Sequence, residues 1–455
     1  MLEPHEVTAP DNGAGAPGPL SGRSAPMPST VRRMLMSADA RSGVLLLACS
    51  MIGHIGNYLY YVVAARALSP AEFAEVSAMT GLAAIALMPT TGIQAAVARD
   101  IAALTARGED ARARGLTRMV ARRVALGQIS LLAALTLVTP AAVAVLDLSS
   151  VWVWLVGVLA IVLQIGLQVS LGPHQGRERF GLLGFIMAGP MGAFRPLLLV
   201  PAVLLAGIAG ALGALVVATA VGLLISFPAL RTRRPAGAAD TSVKLTGFGP
   251  ALLILGAFAS LTNSDLIIAK VTLTATDAGL YASAALLGKI ALYGPSALAL
   301  VLLPKVTARL QANLSVRRPA LWTMSATLLT GTLVVAAIAL APGSLTNAVF
   351  GNSYASAYAL AAPIAVAMTL LSLLHVHIMV SLARGDRVLV RIALTAAVVH
   401  VVALLLLGTT PLRMVIVTIV VAAATLAAHE LSSPYGFVRL CLGEPRATRP
   451  SPIPL

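Results

Sequence analysis

Apolar residues in this chain run in long unbroken stretches, without the alternating or three-and-four rhythm of half-buried elements in water. A helix needs about 20 such residues to cross the hydrocarbon core of a bilayer. Twelve stretches have that length: 43–65, 76–98, 124–146, 151–172, 181–206, 208–230, 248–272, 279–303, 320–342, 358–383, 391–408 and 413–431. They are numbered here as spans 1 to 12. Several hold proline (Pro89, Pro190, Pro196, Pro201, Pro295 and Pro363), which membrane helices tolerate where neighbours re-satisfy the backbone. Gly207, Gly210 and Gly213 mark a tight hairpin between spans 5 and 6. Residues 1–38 are rich in Pro, Gly, Ala and Ser without hydrophobic period and predict a disordered tail, with a second tail at 435–455. The pattern predicts an all-α polytopic membrane protein.

Composition agrees. Hydrophobic residues make up 58% of the chain and charged residues 11%, against about 25% charged in soluble domains. An ordinary soluble enzyme is excluded, as is a disordered chain. The two cysteines, Cys49 and Cys441, allow neither a disulfide framework nor a CxxC metal site.

The net charge of +15 would suggest nucleic-acid binding in a soluble protein. Its placement decides otherwise. With the N-terminus cytoplasmic, 27 Lys and Arg residues fall on the inner side and three (Arg66, Lys270 and Arg413) on the outer side. Arg195 and Lys289 lie within spans. Such asymmetry orients helical membrane proteins. It predicts a multi-pass membrane protein with both termini cytoplasmic and no nucleic-acid partner, and the 28 Arg against four Lys, with abundant alanine, point by association to a bacterial plasma membrane. The inner segment 99–123 carries seven arginines, and Ile101, Leu104, Leu116, Met119 and Val120 form a stripe suited to an interfacial helix on anionic lipid. A solvated connector is the alternative.

A shift of 205 residues lays span 1 on span 7. Leu68-Ser69-Pro70-Ala71-Glu72 falls on Leu273-Thr274-Ala275-Thr276-Asp277, Ile85-Ala86-Leu87 on Ile290-Ala291-Leu292, and Pro89 within one residue of Pro295. Six spans separate the copies, so the halves have the same orientation. The expected lobes are 39–234 (spans 1–6) and 235–434 (spans 7–12). Parallel repeats of this kind build transporters with a site between the halves near the midplane.

At these residues the chain resembles the polysaccharide-exporting branch of the multidrug/oligosaccharidyl-lipid/polysaccharide flippase superfamily, which includes the O-antigen flippases. The run from Tyr58 through Arg66-Ala-Leu68-Ser-Pro70-Ala-Glu72-Phe73 is similar to the exit of that family's first helix. Asn263-Ser-Asp265 through Lys270, then Gly279-Leu-Tyr281 to Pro304-Lys305, is similar to its seventh and eighth helices. Gln175-Gly176-Arg-Glu-Arg-Phe180 resembles its loop between helices 4 and 5, while Ala74 stands where the family usually has glycine. The resemblance implies two six-helix lobes that flip an undecaprenyl-diphosphate-linked oligosaccharide by alternating access, with H+ or Na+ as a possible coupling ion and no cofactor. Membrane lipids and a glycosyltransferase or polymerase of the same pathway would be its partners. The rival readings are a cation-coupled multidrug exporter of the same superfamily, a membrane scaffold, and a polytopic glycan ligase.

Ionisable groups at membrane depth face a cavity or a partner, because lipid penalises them. Arg195 and Lys289 are therefore candidates for contact with an anionic cargo, against a structural pair between Lys289 and Asp265. Asp265 is the candidate for ion coupling. His54, Asn57 and Tyr61 form a polar stripe on span 1, and Lys289, Tyr293 and Ser296 share a face of span 8. Gln164 with Gln168, and Thr90 with Gln94, form lesser stripes that suit either cavity lining or interhelical hydrogen bonds. Arg66, also a substrate candidate, and Lys270 stand at outer helix ends as interface anchors, with a gate role as the alternative. His375 and His377 are two apart and point to opposite sides of a helix, so they cannot chelate one ion from a single face. His429–Glu430 suits a capping role. The sequence has no HExxH, P-loop or GxSxG motif, and no enzymatic activity is expected.

Overall fold

A computed structural model describes residues 38–230, 249–312, 314–341, 343–433 and 436–442. The tail at 1–37 lies outside them. Of the second tail, Phe437–Leu442 is a short helix whose Phe437 and Val438 N–H groups donate to Glu430. Two compact units result. Met1–Val44 is described only from Ala38, as helix, and Leu45–Leu455 holds everything discussed below.

Every predicted span is helical. Span 1 is Ala38–Ala67, span 2 Pro70–Ala106, span 4 Val151–Gly176 and span 7 Gly249–Thr272. Spans 9 to 12 are Arg317–Leu340, Tyr358–Arg384, Arg387–Leu407 and Pro411–Ser432. Span 3 is in two pieces, Asp110–Leu137 and Thr139–Val145, and span 8 in two, Ala275–Gly288 and Ile290–Gln311, with a break at Lys289. Spans 5 and 6 run through Phe180–Ala188, the π-helical Gly189–Ala193 and Phe194–Leu230. They separate at Ala206 and Gly207, where Gly207 takes φ 53, a conformation open to glycine at little cost. Among the described residues, nine helices suffice by length and apolarity to cross a membrane. The break at Gly207 divides one of these in two, and spans 1 and 8 complete the predicted twelve.

Polarity is arranged as lipid requires. Leu137, Leu204, Leu205, Leu340 and Leu406 are more than 70% exposed, while alanine, serine and threonine dominate many helix contacts, where small side chains let backbones approach. Thr80, Thr117, Thr262, Thr369, Thr418 and Thr425 return their hydroxyls to a carbonyl one turn back, so they cost little inside.

The segment 99–123 is not an interfacial helix. Span 2 continues to Ala106, span 3 begins at Asp110, and the turn between them is short. Ile101, Leu116 and Val120 are buried together with Val97 of span 2, Ala113 of span 3 and Val169 of span 4. The stripe is apolar because it packs on protein rather than on lipid.

The repeat is visible as chemistry. Ser69 caps span 2, with its hydroxyl accepting from the Glu72 N–H and Glu72 accepting from the Ser69 N–H at 2.8 Å. Thr274, 205 residues on, caps span 8 with Asp277 at the corresponding place. Such boxes satisfy helix-end donors that would otherwise be orphaned.

The lobes meet along span 2. Gly81 lies against the Asn263 carbonyl and Leu266, Gly92 against Leu252, and Gly256 against Pro89, so spans 2 and 7 touch along much of their length. At the end poor in basic residues, further contacts cross between lobes. Arg66 donates to the carbonyls of Val349, at 2.8 Å, and of Ala348. Lys270 Nζ donates to the Asp147 carbonyl at 2.6 Å, and Tyr354 donates to the Leu68 carbonyl at 3.2 Å with its ring edge-on to Phe73.

Candidate functional site

A cavity of about 230 Å³ lies beside spans 1, 2, 4, 5 and 6 and reaches across to Tyr293 on span 8. Its position follows from a close helix crossing. A Cβ on Gly56 would overlap the Gly192 backbone, and Gly192 in turn lies on the Gly53 Cα. Three glycines at that point bring the backbones of spans 1 and 5 together. The π-helical turn at Gly189–Ala193 comes two residues before Arg195, and such turns re-aim the side chains that follow.

Arg195 is 7% exposed. Its Nη1 donates to Asn57 Oδ1 at 2.6 Å, its Nη2 to Gln164 Oε1 at 3.3 Å, and its Nε has no hydrogen-bond partner. Both acceptors are neutral amides, so the guanidinium keeps its charge and a spare donor. Among the described lining residues (Ser50, Gly53, His54, Asn57, Tyr61, Thr80, Ala83, Ala84, Leu87, Gln164, Met187, Met191, Arg195, Leu215 and Tyr293) there is no carboxylate. The wall is amphiphilic, with amides, hydroxyls and a guanidinium facing methionine and leucine.

The structure thus brings together Arg195, His54, Asn57, Tyr61, Tyr293 and Gln164 from the sequence candidates. It does not bring Lys289, Arg66 or Asp265 to the cavity. Arg66 is spent on the two carbonyls at the charge-poor end, because a guanidinium there finds the open last turn of Ser344–Phe350. Lys289 is buried, and its Nζ donates to Asn263 Oδ1 at 3.0 Å. Asp265 is fully buried and accepts from the Tyr281 hydroxyl at 2.9 Å. No ion pair joins Lys289 and Asp265 among the described residues. Gln168 and Gln94 bond each other at 2.6 Å and knit spans 2 and 4, while Thr90 donates to the Leu87 carbonyl. The side chain of Ser296 lies outside the described residues.

The second polar group, in the half beginning at Gly249, contains residues that sequence reasoning passed over. His400 is enclosed and meets Ser264 Oγ at 3.3 Å through Nδ1 and Thr418 Oγ1 at 3.1 Å through Nε2. The signal was present in the repeat, since a shift of 205 lays Arg195 on His400 and Ala84 on Lys289. Both halves carry a polar group where the first and fifth spans of the repeat meet.

Among the described residues, no group of three or more His, Cys, Asp or Glu side chains is placed to hold a metal. His375 stacks on Phe258, and His377 meets His429 at 2.9 Å. At the basic end, Asp386 accepts from Ser433 Oγ at 2.7 Å and from the Val388 N–H at 2.8 Å. Burial pushes its carboxyl up, but the His429 imidazole, whose Nε2 lies 3.5 Å from Oδ2, and hydrogen bonds from Ser433 and Val388 outweigh that and hold it below the usual carboxylate value. A larger crevice of about 890 Å³ at the charge-poor end has aliphatic walls (Val153, Leu198, Ile208, Val217) and highly exposed Leu205 at its edge. Glu72, Ser149 and Ser150 add polar groups to its lining.

No family model matches the sequence, and no curated protein is similar to it in sequence. Solved structures are similar in fold. One is an inward-facing conformation of a multidrug resistance MATE family transporter of the MOP superfamily, with 12% identity over 88% of this chain and 99% of that one, at TM-score 0.65. Another is the MATE multidrug transporter DinF-BH, with 15% identity over 87% and 96%, at TM-score 0.59. A third is a MOP superfamily transporter from Pyrococcus furiosus, described by the reverse polarity of its binding pocket, with 15% identity over 90% and 97%, at TM-score 0.55. This chain is therefore an all-helical, multi-pass membrane protein with the two-lobed fold of the MATE transporters.

Proposed function

We propose that the chain is an alternating-access exporter of amphiphilic molecules, working as the multidrug transporters of its fold do, with a cargo that carries negative charge. The observation that carries this reading is Arg195. A buried guanidinium with neutral acceptors and a free Nε is stabilised by an anion and repels a cationic ligand. His54, Asn57, Tyr61 and Tyr293 supply the polar contacts, Met187, Met191 and Leu215 the apolar ones. Asp265 is the group we assign to ion coupling. The basic end faces the cytoplasm in this reading, and the contacts at the other end close the outward path. The Pyrococcus furiosus protein, with its reversed pocket polarity and the different function suggested for it, is a precedent for this fold with an altered binding pocket.

A second reading has its own support. Arg195 suits a diphosphate equally well, and the motifs at Arg66–Phe73 and Asn263–Lys270 resemble the polysaccharide flippases. A cavity of about 230 Å³ takes a diphosphate headgroup but leaves an oligosaccharide outside. Proteoliposomes bearing the full chain separate the two, using a fluorescent anionic amphiphile, a cationic dye and undecaprenyl diphosphate as competitor. We expect movement of the anionic probe and its loss in Arg195→Gln. Strong competition by undecaprenyl diphosphate favours the flippase. Movement of the cationic dye alone, unaffected by Arg195→Gln, would overturn the charge assignment.

A further inference from the structure

Two buried imidazoles meet at the basic end of the second half. His377 of span 10 is 4% exposed and His429 of span 12 is 1% exposed, and their Nδ1 atoms lie 2.9 Å apart. Each ring presents its other nitrogen to an acid. His377 Nε2 is 3.5 Å from Glu430 Oε1, and His429 Nε2 is 3.5 Å from Asp386 Oδ2. The order acid, imidazole, imidazole, acid draws on span 10, on span 12 and on the N-cap of span 11, which Asp386 supplies. Both acids are tethered as well. Asp386 holds the Ser433 hydroxyl at 2.7 Å, and Glu430 takes the Phe437 and Val438 N–H groups at 2.7 and 2.9 Å.

This geometry limits how many protons the four ring nitrogens carry. Two nitrogens at 2.9 Å attract only when one donates and the other accepts, so the inner contact takes one proton and neither none nor two. A bare lone pair against a carboxylate is repelled and an N–H is attracted, so each outer nitrogen favours a proton too. His429 Nε2 is buried without a hydrogen-bond partner, which leaves the charge of Asp386 to compensate it. Three protons are one more than two neutral rings hold. The pair thus satisfies all its contacts as one shared imidazolium between two carboxylates. Burial penalises that charge, and the two acids offset the penalty.

A further proton would set like charges across the 2.9 Å contact. The elements packed around the pair also carry cations at this end (Lys305, Arg309, Arg317, Arg318, Arg384, Arg387, Arg391 and Arg439), and these oppose it further. His375, two residues earlier on span 10, stacks on Phe258 instead.

We propose that His377 and His429 form a binding site for a single proton, shared between Asp386 and Glu430, whose occupancy fastens the Phe437–Leu442 helix to the basic end of the second half. The link runs through Glu430. With the proton bound, Glu430 faces a positive ring while it holds the two N–H groups of the terminal helix. With the proton gone, the same carboxylate faces a lone pair and is driven to turn away, and the helix loses its acceptor. The Phe437 ring, 5.5 Å from that of His377, makes the helix a cover for the pair. Proton and helix therefore favour each other's binding. The inference is independent of the exporter reading and of Asp265.

The test is a magnetic-resonance titration of the full chain in lipid bilayers, with isotope-labelled histidine, from alkaline to mildly acid pH. Among the described residues no other two imidazoles touch, so a nitrogen–nitrogen coupling across a hydrogen bond identifies the pair in the wild type without a variant. The two rings should take up one proton together, with a single midpoint, and no second proton over the range. Separate midpoints, titration of one ring alone, or no titration of either would overturn the proposal. The terminal helix is followed by a spin label on Val438→Cys, at a position 60% exposed, in a background with Cys49→Ser and Cys441→Ser. The label should be ordered while the pair holds its proton and gain mobility at the same midpoint, and His429→Gln should remove that pH dependence. Mobility in the wild type that ignores the midpoint would overturn the fastening, and this comparison decides even where His429→Gln fails to fold.

Discussion

Lys270 offers the sharpest test of how the two lobes separate. Its ammonium is 4% exposed and donates to the Asp147 carbonyl at 2.6 Å across the lobes, while the Asp147 carboxylate lies 3.6 Å away and is 89% exposed. The two contacts are unequal. The pair with an exposed carboxylate is screened and contributes about 0–1 kcal/mol. The hydrogen bond from a buried ammonium contributes about 1.5–3 kcal/mol. If both form only while the charge-poor end is closed, Lys270→Met removes about 2 kcal/mol from that state and keeps most of the apolar stem. Opening then rises roughly 30-fold, since 1.4 kcal/mol is tenfold.

The assay is maleimide labelling of Leu68→Cys in a background with Cys49→Ser and Cys441→Ser. Leu68 is 6% exposed and its carbonyl accepts from Tyr354. Where opening is a rapid pre-equilibrium, the labelling rate follows the open population. Arg66→Gln should give a smaller increase, roughly fivefold for about 1 kcal/mol, because Arg66 is exposed to water. The two sites touch different elements, so their effects should multiply. An unchanged labelling rate in Lys270→Met, with a lowered melting temperature, would show that the contact is structural and persists in both states.

Other perturbations read other parts of the fold. Ser69→Ala and Thr274→Ala each remove a helix cap at equivalent places in the repeat, so each should lower stability by about 1 kcal/mol in melting of the full chain. A loss confined to one would argue against equivalent roles. Gly56→Val should part spans 1 and 5, break the Asn57–Arg195 contact and abolish anionic-probe binding as fully as Arg195→Gln does; retained binding would deny that the crossing builds the cavity. Asp386→Asn should melt below wild type at neutral pH. A carboxyl held below its ordinary value of 3.8 contributes stability above that value and loses it as pH falls, so the gap should close in acid. A gap independent of pH would point to packing instead.

Much of this was readable from residues alone, and the reasons differ by element. The twelve spans were legible because lipid imposes a length and a composition that water does not. Gly207 was legible because a hairpin this tight needs positive φ. The stripe at Ile101, Leu116 and Val120 suited either an interfacial helix or a connector, because hydrophobic periodicity reports that a face is buried and is silent on whether lipid or protein buries it. Arg195 and Asn57 were found as buried polar residues, but their meeting depends on Gly56 and Gly192, which carry no chemistry of their own. Lys289 and Arg66 were grouped with the cavity because charge at depth announces a need for a partner without naming it. His400 was missed because a lone histidine on an apolar helix has no local signal, and only the long-range register with Arg195 marks it.

That register gives the two lobes a common ancestry of shape and opposite electrical characters. At one place the repeat has arginine beside an asparagine and a glutamine, with a cavity in front of it. At the equivalent place it has histidine between two hydroxyls, one of them from Ser264, next to Asp265 in sequence, on a helix whose Asn263 accepts from Lys289. In the first lobe the positive charge has no acid among the cavity walls and must be balanced by something that enters. In the second, the chain holds both signs itself. Introducing a carboxylate into the first lobe by Ala84→Glu should therefore quench Arg195 internally and abolish binding of the anionic probe, whereas Ala84→Gln, of the same size, should weaken it only by crowding. Equal losses in both variants would show that space, and not unbalanced charge, is what the cavity offers its cargo.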